Sequence, residues 1–416
     1  RRMALFLLSC LCLQFGCASA REAWAPDYSD HDDPNEAYYV TVLGNPEELK
    51  GGEPVIALTE SAAVWKRTFA GLTEDPNFGF DLRAMDVSKV DLTGVDTDKI
   101  AFSSDTVWPE NLSEGFSPYE VLEIGKNPGL GIRQLHEQGV TGAGVGIAII
   151  DQPLFLDHQE YADRVMYYER IHCDGSMAAM HGAAVASLAL GDTVGVASGA
   201  ELYYIATFFG HNVDGQITFD AFILADCIRR IVEINRFLPD EEKIRVVSIS
   251  RGYGIEDQGY EAMREAIALA DQEGMFVITT TTEDYYHFNL LGMGRNYVED
   301  PEDFQSYRPA SWTEKEFYTG FTLPNALMVP MGSRTYASCW DTKGYEIVRP
   351  GGLSWTVPWC AGFYALCCQV KPDITPQEFI RLSMETAVTT QLEHNGRTYE
   401  FGKIINPQGV MEALKR

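Results

Sequence analysis

From about residue 130 the chain alternates short apolar runs with amphipathic stretches, and this alternation limits the fold more than any other feature. Val145-Gly-Ile-Ala-Ile-Ile150 is apolar without a break, the composition of a strand buried on both faces. Leu202–Ala206, Ile244–Ile249, Met275–Thr280 and Ala326–Val329 read as further strands. Helical patterns fall at about 181–190, 218–236, 258–273, 355–370 and 375–387. The expected class is α/β: three layers, a mostly parallel sheet with helices on both faces, preceded by a small, mainly β N-terminal region. Reactive groups in such sheets gather at the carboxyl ends of the strands.

Three residues fall at such places. Asp151 directly follows the run ending at Ile150, where a carboxylate needs a partner because burying it alone is costly. His181 opens a helical pattern whose small residues Gly182, Ala183 and Ala186 suit close packing. Ser354 follows Gly351-Gly352 and precedes the apolar stretch Trp355–Val370, so it lies at a helix N-terminus, where free N–H groups favour negative charge. Pro358 interrupts that stretch and is tolerable in a helix's first turn. Each has an ordinary alternative: a loop cap for Asp151, a surface or satisfied core position for His181, an N-cap for Ser354. Together they supply what acyl transfer needs, a nucleophile, a base and an acid that fixes the base's tautomer. No Gly-x-Ser-x-Gly elbow occurs, which counts against lipases and esterases.

The order Asp, His, Ser, and the blocks Gly146-Ile-Ala-Ile-Ile-Asp151, His181-Gly182 and Gly352-Leu-Ser354-Trp-Thr-Val-Pro358, resemble the active-site blocks of subtilisin-like serine proteases over roughly residues 140–390. The resemblance implies that Asp151 orients, His181 acts as base and acid, and Ser354 attacks. It also implies that Ser250, Arg251 and Gly252 bind substrate by pairing with its backbone. No cofactor is required; a structural calcium ion is compatible with the acidic lead-in, although no metal ligand set is specified.

Several positions depart from the family's pattern. Ala183-Ala184 follow Gly182 where the family has Thr-His, Gln152-Pro153 follow Asp151, and Arg251 replaces an apolar residue. Glu283 stands near the position expected for the asparagine that binds the oxyanion, with Asn289 and Asn296 nearby in sequence. Losing one such donor costs roughly 3–4 kcal/mol of transition-state stabilisation. A secreted endopeptidase is therefore the first expectation. A catalytically impaired scaffold with a binding or regulatory role is the alternative, and a non-peptidase acyl hydrolase a third.

Residues 1–20 read as an export signal: Arg1-Arg2, an apolar core from Ala4 to Phe15, and Ala18-Ser19-Ala20. This implies a secreted protein with no integral membrane segment; lipid attachment through Cys17 is the lesser alternative. The formal charge of -28 argues against nucleic acid as a partner and leaves protein or peptide as substrate. The six cysteines beyond the signal form neither a disulfide framework nor a metal knuckle.

Residues 21–125 form an accessory region or a propeptide, and 126–416 the peptidase domain. Residues 21–37 are an acidic lead-in. Residues 80–104 repeat every five: FDLRA, MDVSK, VDLTG, VDTDK, IAFSS. The repeat resembles pentapeptide-repeat coils, and so short a coil has to lean on a neighbour.

Overall fold

Alternate side chains of a strand point to opposite faces, so a strand apolar throughout has to be covered twice. The strand Gly146–Asp151 shows this directly. Ile147 and Ile149 pack into one core with Val185, Ala186, Trp359 and Phe363, whereas Ala148 and Ile150 pack into another with Leu224, Ile228, Met263 and Ile267. The first layer is built by the helices Met180–Leu190 and Leu353–Val370, the second by Ala221–Phe237 and Tyr260–Gln272. Asp151 shares the parity of Ile147 and Ile149, so its side chain falls on the face of the first pair. The computed structural model describes residues 41–44, 74, 79–173, 178–213, 216–320, 323 and 325–415. The export signal and the acidic lead-in expected from the sequence lie outside the described residues.

The main sheet has six strands in the order Thr41–Gly44, Val165–Arg170, Glu201–Ala206, Gly146–Asp151, Ile244–Ser248, Phe276–Ile278. All neighbours are parallel except the edge strand Thr41–Gly44. A second sheet has five strands and a third has four. The strands and helices expected from the sequence are present with boundaries shifted by a few residues. The helix expected over 218–236 begins later, at Ala221, because Asp220 caps it, its carboxylate accepting from Phe222 N at 2.9 Å.

The five-residue repeat has a physical basis in each unit. Asp81, Asp86, Asp91 and Asp96 each accept from the N–H two residues on, at 2.9–3.1 Å, fixing one Asx turn per unit. The backbone bonds Met85 N to Leu82 O, Val90 N to Val87 O and Val95 N to Leu92 O recur with the same period. The middle residues Leu82, Val87, Leu92 and Phe102 are buried. The last unit forms the strand Ile100–Ser103, which pairs antiparallel with Tyr345–Val348 in the third sheet. The coil thus leans on the α/β body through main-chain hydrogen bonds.

Candidate active site

Asp151 ends its strand fully buried. Its Oδ1 accepts from Gln152 N at 2.8 Å and meets His181 Nδ1 at 2.6 Å. Asp151 Oδ2 is also buried and has no partner among the described residues. An acceptor on Nδ1 holds the imidazole proton there and leaves the other ring nitrogen basic. The His181 pKa is raised from its ordinary value: burial, the largest influence, works against protonation, but the charge of Asp151 and the hydrogen bond to it outweigh burial together.

The approach of the His181 helix to the Asp151 strand depends on Gly182. A Cβ there would lie 2.5 Å from Gln152 O and 2.7 Å from the Tyr204 hydroxyl. A Cβ on Gly362 would likewise lie 2.7 Å from Ala189 O, so the Ser354 helix packs against the His181 helix at the distance only glycine permits.

Ser354 is the second residue of Leu353–Val370, and the N-cap position is Gly352, which offers no side-chain acceptor. Its hydroxyl therefore does not cap its own helix; Oγ donates instead to Ser250 O at 3.3 Å. The contact is reciprocal, since Ser250 Oγ donates to Ser354 O at 2.8 Å. Pro358 explains why that carbonyl is free: the helical partner of Ser354 O is the N–H of residue 358, and proline has none. Pro358 lies beyond the first turn, contrary to the expectation from sequence, because the helix starts at Leu353. Its cost is offset by the Ser250 hydroxyl. No hydrogen bond joins Ser354 to His181 among the described residues. The imidazole packs edge-on against Trp355, ring centroids 5.6 Å apart, and so lies against the residue that directly follows Ser354.

Of the other expected residues, Arg251 is exposed, and its guanidinium lies 4.5 Å over the ring of Phe219, a cation–π contact. Ile249 N and Arg251 O are bonded to Ile278 O and Thr280 N. By alternation, Ser250 and Gly252 direct their main-chain groups to the opposite edge. Glu283 is exposed and heads the four-residue helix Glu283–Tyr286. Asn296 is engaged elsewhere, its N bonded to Glu299 and its Oδ1 to Arg349. Asn289 begins the strand Asn289–Gly294, its N–H bonded to Asn325 O. Beside Leu353 lies an apolar cavity of about 210 Å³, lined in part by Leu291, Trp312, Phe317, Met328 and Phe401.

The described cysteines are buried, Cys227, Cys339, Cys360, Cys367 and Cys368 form no disulfide among the described residues, and no group of three or more His, Cys, Asp or Glu side chains able to hold a metal occurs among the described residues. No described helix is long and apolar enough to cross a membrane.

A family model described as "Subtilase family" matches residues 142–403, which contain all three residues of the site. The chain belongs to the subtilase family. Among solved structures this subtilase is similar to fervidolysin from Fervidobacterium pennivorans, a keratinolytic enzyme related to subtilisin, at 16% identity and a TM-score of 0.50, over 73% of this chain and 48% of that one. It is also similar to the prenylagaramide maturation protease PagA, at 15% identity and a TM-score of 0.47, over 68% of this chain and 98% of that one. No curated protein matches it in sequence. The fervidolysin likeness shows the subtilisin-like α/β fold; the alternating pattern led one to expect the α/β class, and the resemblance of the three blocks its subtilisin-like form.

Proposed function

We propose that this subtilase is a secreted serine endopeptidase that cleaves peptide bonds through an acyl-enzyme on Ser354. The observation that carries the reading is the 2.6 Å contact of His181 with the buried Asp151, on the face of the sheet where the Ser354 helix also packs. Ser354 leaves Ser250 O, gives its proton to His181 and attacks the substrate carbonyl. Unbonded N–H groups at the start of Leu353–Val370 receive the oxyanion, a task for which the bare Gly352 cap leaves room. Protonated His181 then donates to the leaving amine, and water repeats the sequence to release the acid. The main-chain groups of Ser250 and Gly252, directed away from Ile278–Thr280, support pairing with an extended substrate once Ser354 leaves Ser250 O, and the cavity beside Leu353 supports an apolar side chain in it. The export signal read in residues 1–20 supports secretion.

Labelling with a fluorophosphonate tests this reading: the purified protein is expected to label and Ser354→Ala not to. Equal labelling of both, or none of either, overturns it. The impaired-scaffold reading draws on Glu283, which stands in sequence near the position where a neutral donor is expected. It predicts binding of a peptide without turnover, whereas the peptidase reading predicts turnover of a denatured protein that disappears in His181→Ala.

A further inference from the structure

Besides its apolar side chains, the five-residue coil delivers the guanidinium of Arg83 into the body of the protein. Arg83 forms a two-pronged pair with Asp81, Nε to Oδ1 and Nη2 to Oδ2, both 2.9 Å. Its remaining Nη1 reaches Glu346 Oε2 at 3.1 Å and the Tyr336 hydroxyl at 3.3 Å. Glu346 lies fully buried on the strand Tyr345–Val348, and its other oxygen has no partner among the described residues. Burial pushes its carboxyl up to about 7 against the pull of Arg83. Among the described residues Arg83 is the one cation paired with it. A carboxylate left in that place without a cation is strongly disfavoured.

From Glu346 the contacts run to the site. The Tyr336 hydroxyl lies 3.4 Å from Glu346 Oε2, the Tyr336 ring packs edge-on against Trp355 at 5.4 Å, and Trp355 packs against His181. Ala101 of the coil's last strand shares a buried cluster with Trp355, Tyr336, and Ala184 and Leu188 of the His181 helix. Phe102 is clasped by Trp108, Phe116 and Tyr297, and the Tyr297 hydroxyl donates to Ile100 O at 2.7 Å. Removing residues 80–104 would uncover the edge of Tyr345–Val348, expose this cluster and strand Glu346.

We propose that residues 80–104 are a resident part of the working peptidase, and that Arg83 is a positioning residue that holds the His181 imidazole in place through Glu346, Tyr336 and Trp355. The proposal rests on the peptidase reading for its kinetic half and is independent of it for the retention of the coil.

The experiment takes the purified protein, labels it with a fluorophosphonate and determines the N-terminus and intact mass of the labelled species. Arg83→Met, Arg83→Lys and the double variant Arg83→Met/Glu346→Gln are then compared with the wild type in labelling rate, peptide turnover and pH profile. The labelled species is expected to contain residues 80–104. Arg83→Met should lower kcat by between about tenfold and a hundredfold with KM little changed, the range for a displaced catalytic group. It should also displace the acid limb of the pH profile, and Arg83→Lys should recover most of the loss. Should Arg83→Met not fold, the double variant, which leaves no unpaired buried charge, carries the comparison and should show the same slow turnover. A fully active species that begins beyond residue 104, or a double variant with wild-type rate and pH profile, overturns the proposal. A wild type that neither labels nor turns over defeats the peptidase reading instead, and retention is then read from the intact mass and from thermal unfolding of the protein lacking residues 80–104.

Discussion

His181 faces two opposed influences, burial that disfavours its charge and Asp151 that favours it, and Asp151 prevails. The sign has two consequences. Because the folded pKa lies above the ordinary value of about 6.5, the pair stabilises the fold fully below that pH and loses this contribution as pH rises through the folded pKa. In the proposed mechanism the dependence runs the other way, since only neutral His181 can take the Ser354 proton. The acid limb of kcat/KM is therefore expected to inflect above about 6.5. In Asp151→Asn burial acts alone, so the limb of the residual activity should move below that value, with kcat lower by about ten-thousand-fold. A limb that stays in place in this variant would show that Asp151 does not set the base. Ser250 offers a second check at this scale. Ser250→Ala leaves Ser354 O without that donor, because Pro358 cannot replace it, and since the contact is half-buried the cost is expected at the lower end of the range of about 1–3 kcal/mol for an unsatisfied acceptor. A denaturant midpoint equal to that of the wild type would mean that the reciprocal contact is not formed in solution.

Among the elements, the two helices of the site are held by contacts whose legibility in the sequence differed sharply. The side to which Asp151 points follows from counting in twos along Gly146–Asp151, and the small residues after His181 announce a helix packed tightly on something. What that helix packs on is not encoded locally. Gly182 meets Gln152 O and Gly362 meets Ala189 O, pairs separated by 30 and by 173 residues for which no periodicity speaks. The service of Ser250 to Ser354 across Pro358 was hidden for the same reason: a proline in the sequence shows which N–H is missing, not which hydroxyl replaces it. Gly182→Ala tests the element directly. The added methyl meets main chain at 2.5 Å, which cannot swing aside as a side chain would, so the helix has to retreat. The expected result is a loss of about 1–3 kcal/mol of stability, together with a fall in fluorophosphonate labelling as His181 moves from Asp151. Unchanged labelling would separate the position of this helix from the chemistry.

At the scale of the whole molecule the α/β class was legible in the sequence, because it is written in patterns a few residues long. The sequence did not show that the coil of residues 80–104 enters the same body as residues 334–348, since the Arg83–Glu346 pair spans 263 positions. The net charge of -28 is the remaining property of the entire chain. Folding concentrates that charge on a smaller surface, so its self-repulsion opposes the compact state. The exposed ion pairs, such as Arg381 with Glu385 and Arg236 with Glu273, offset this weakly, because pairs of that kind contribute about 0.2–1 kcal/mol each. The Arg230–Glu169 and Arg83–Glu346 pairs are buried and little affected by salt. Raising the ionic strength from 0.01 M to 0.15 M shortens the screening length from about 30 Å to about 8 Å, which removes long-range repulsion before it weakens contacts at 3 Å. The thermal midpoint is thus expected to rise over that interval, as differential scanning calorimetry would record. A midpoint that falls would mean that attraction between opposite charges on the surface outweighs the excess of 28 negative ones, and the acidic surface would then have to be counted among the forces that hold the fold together.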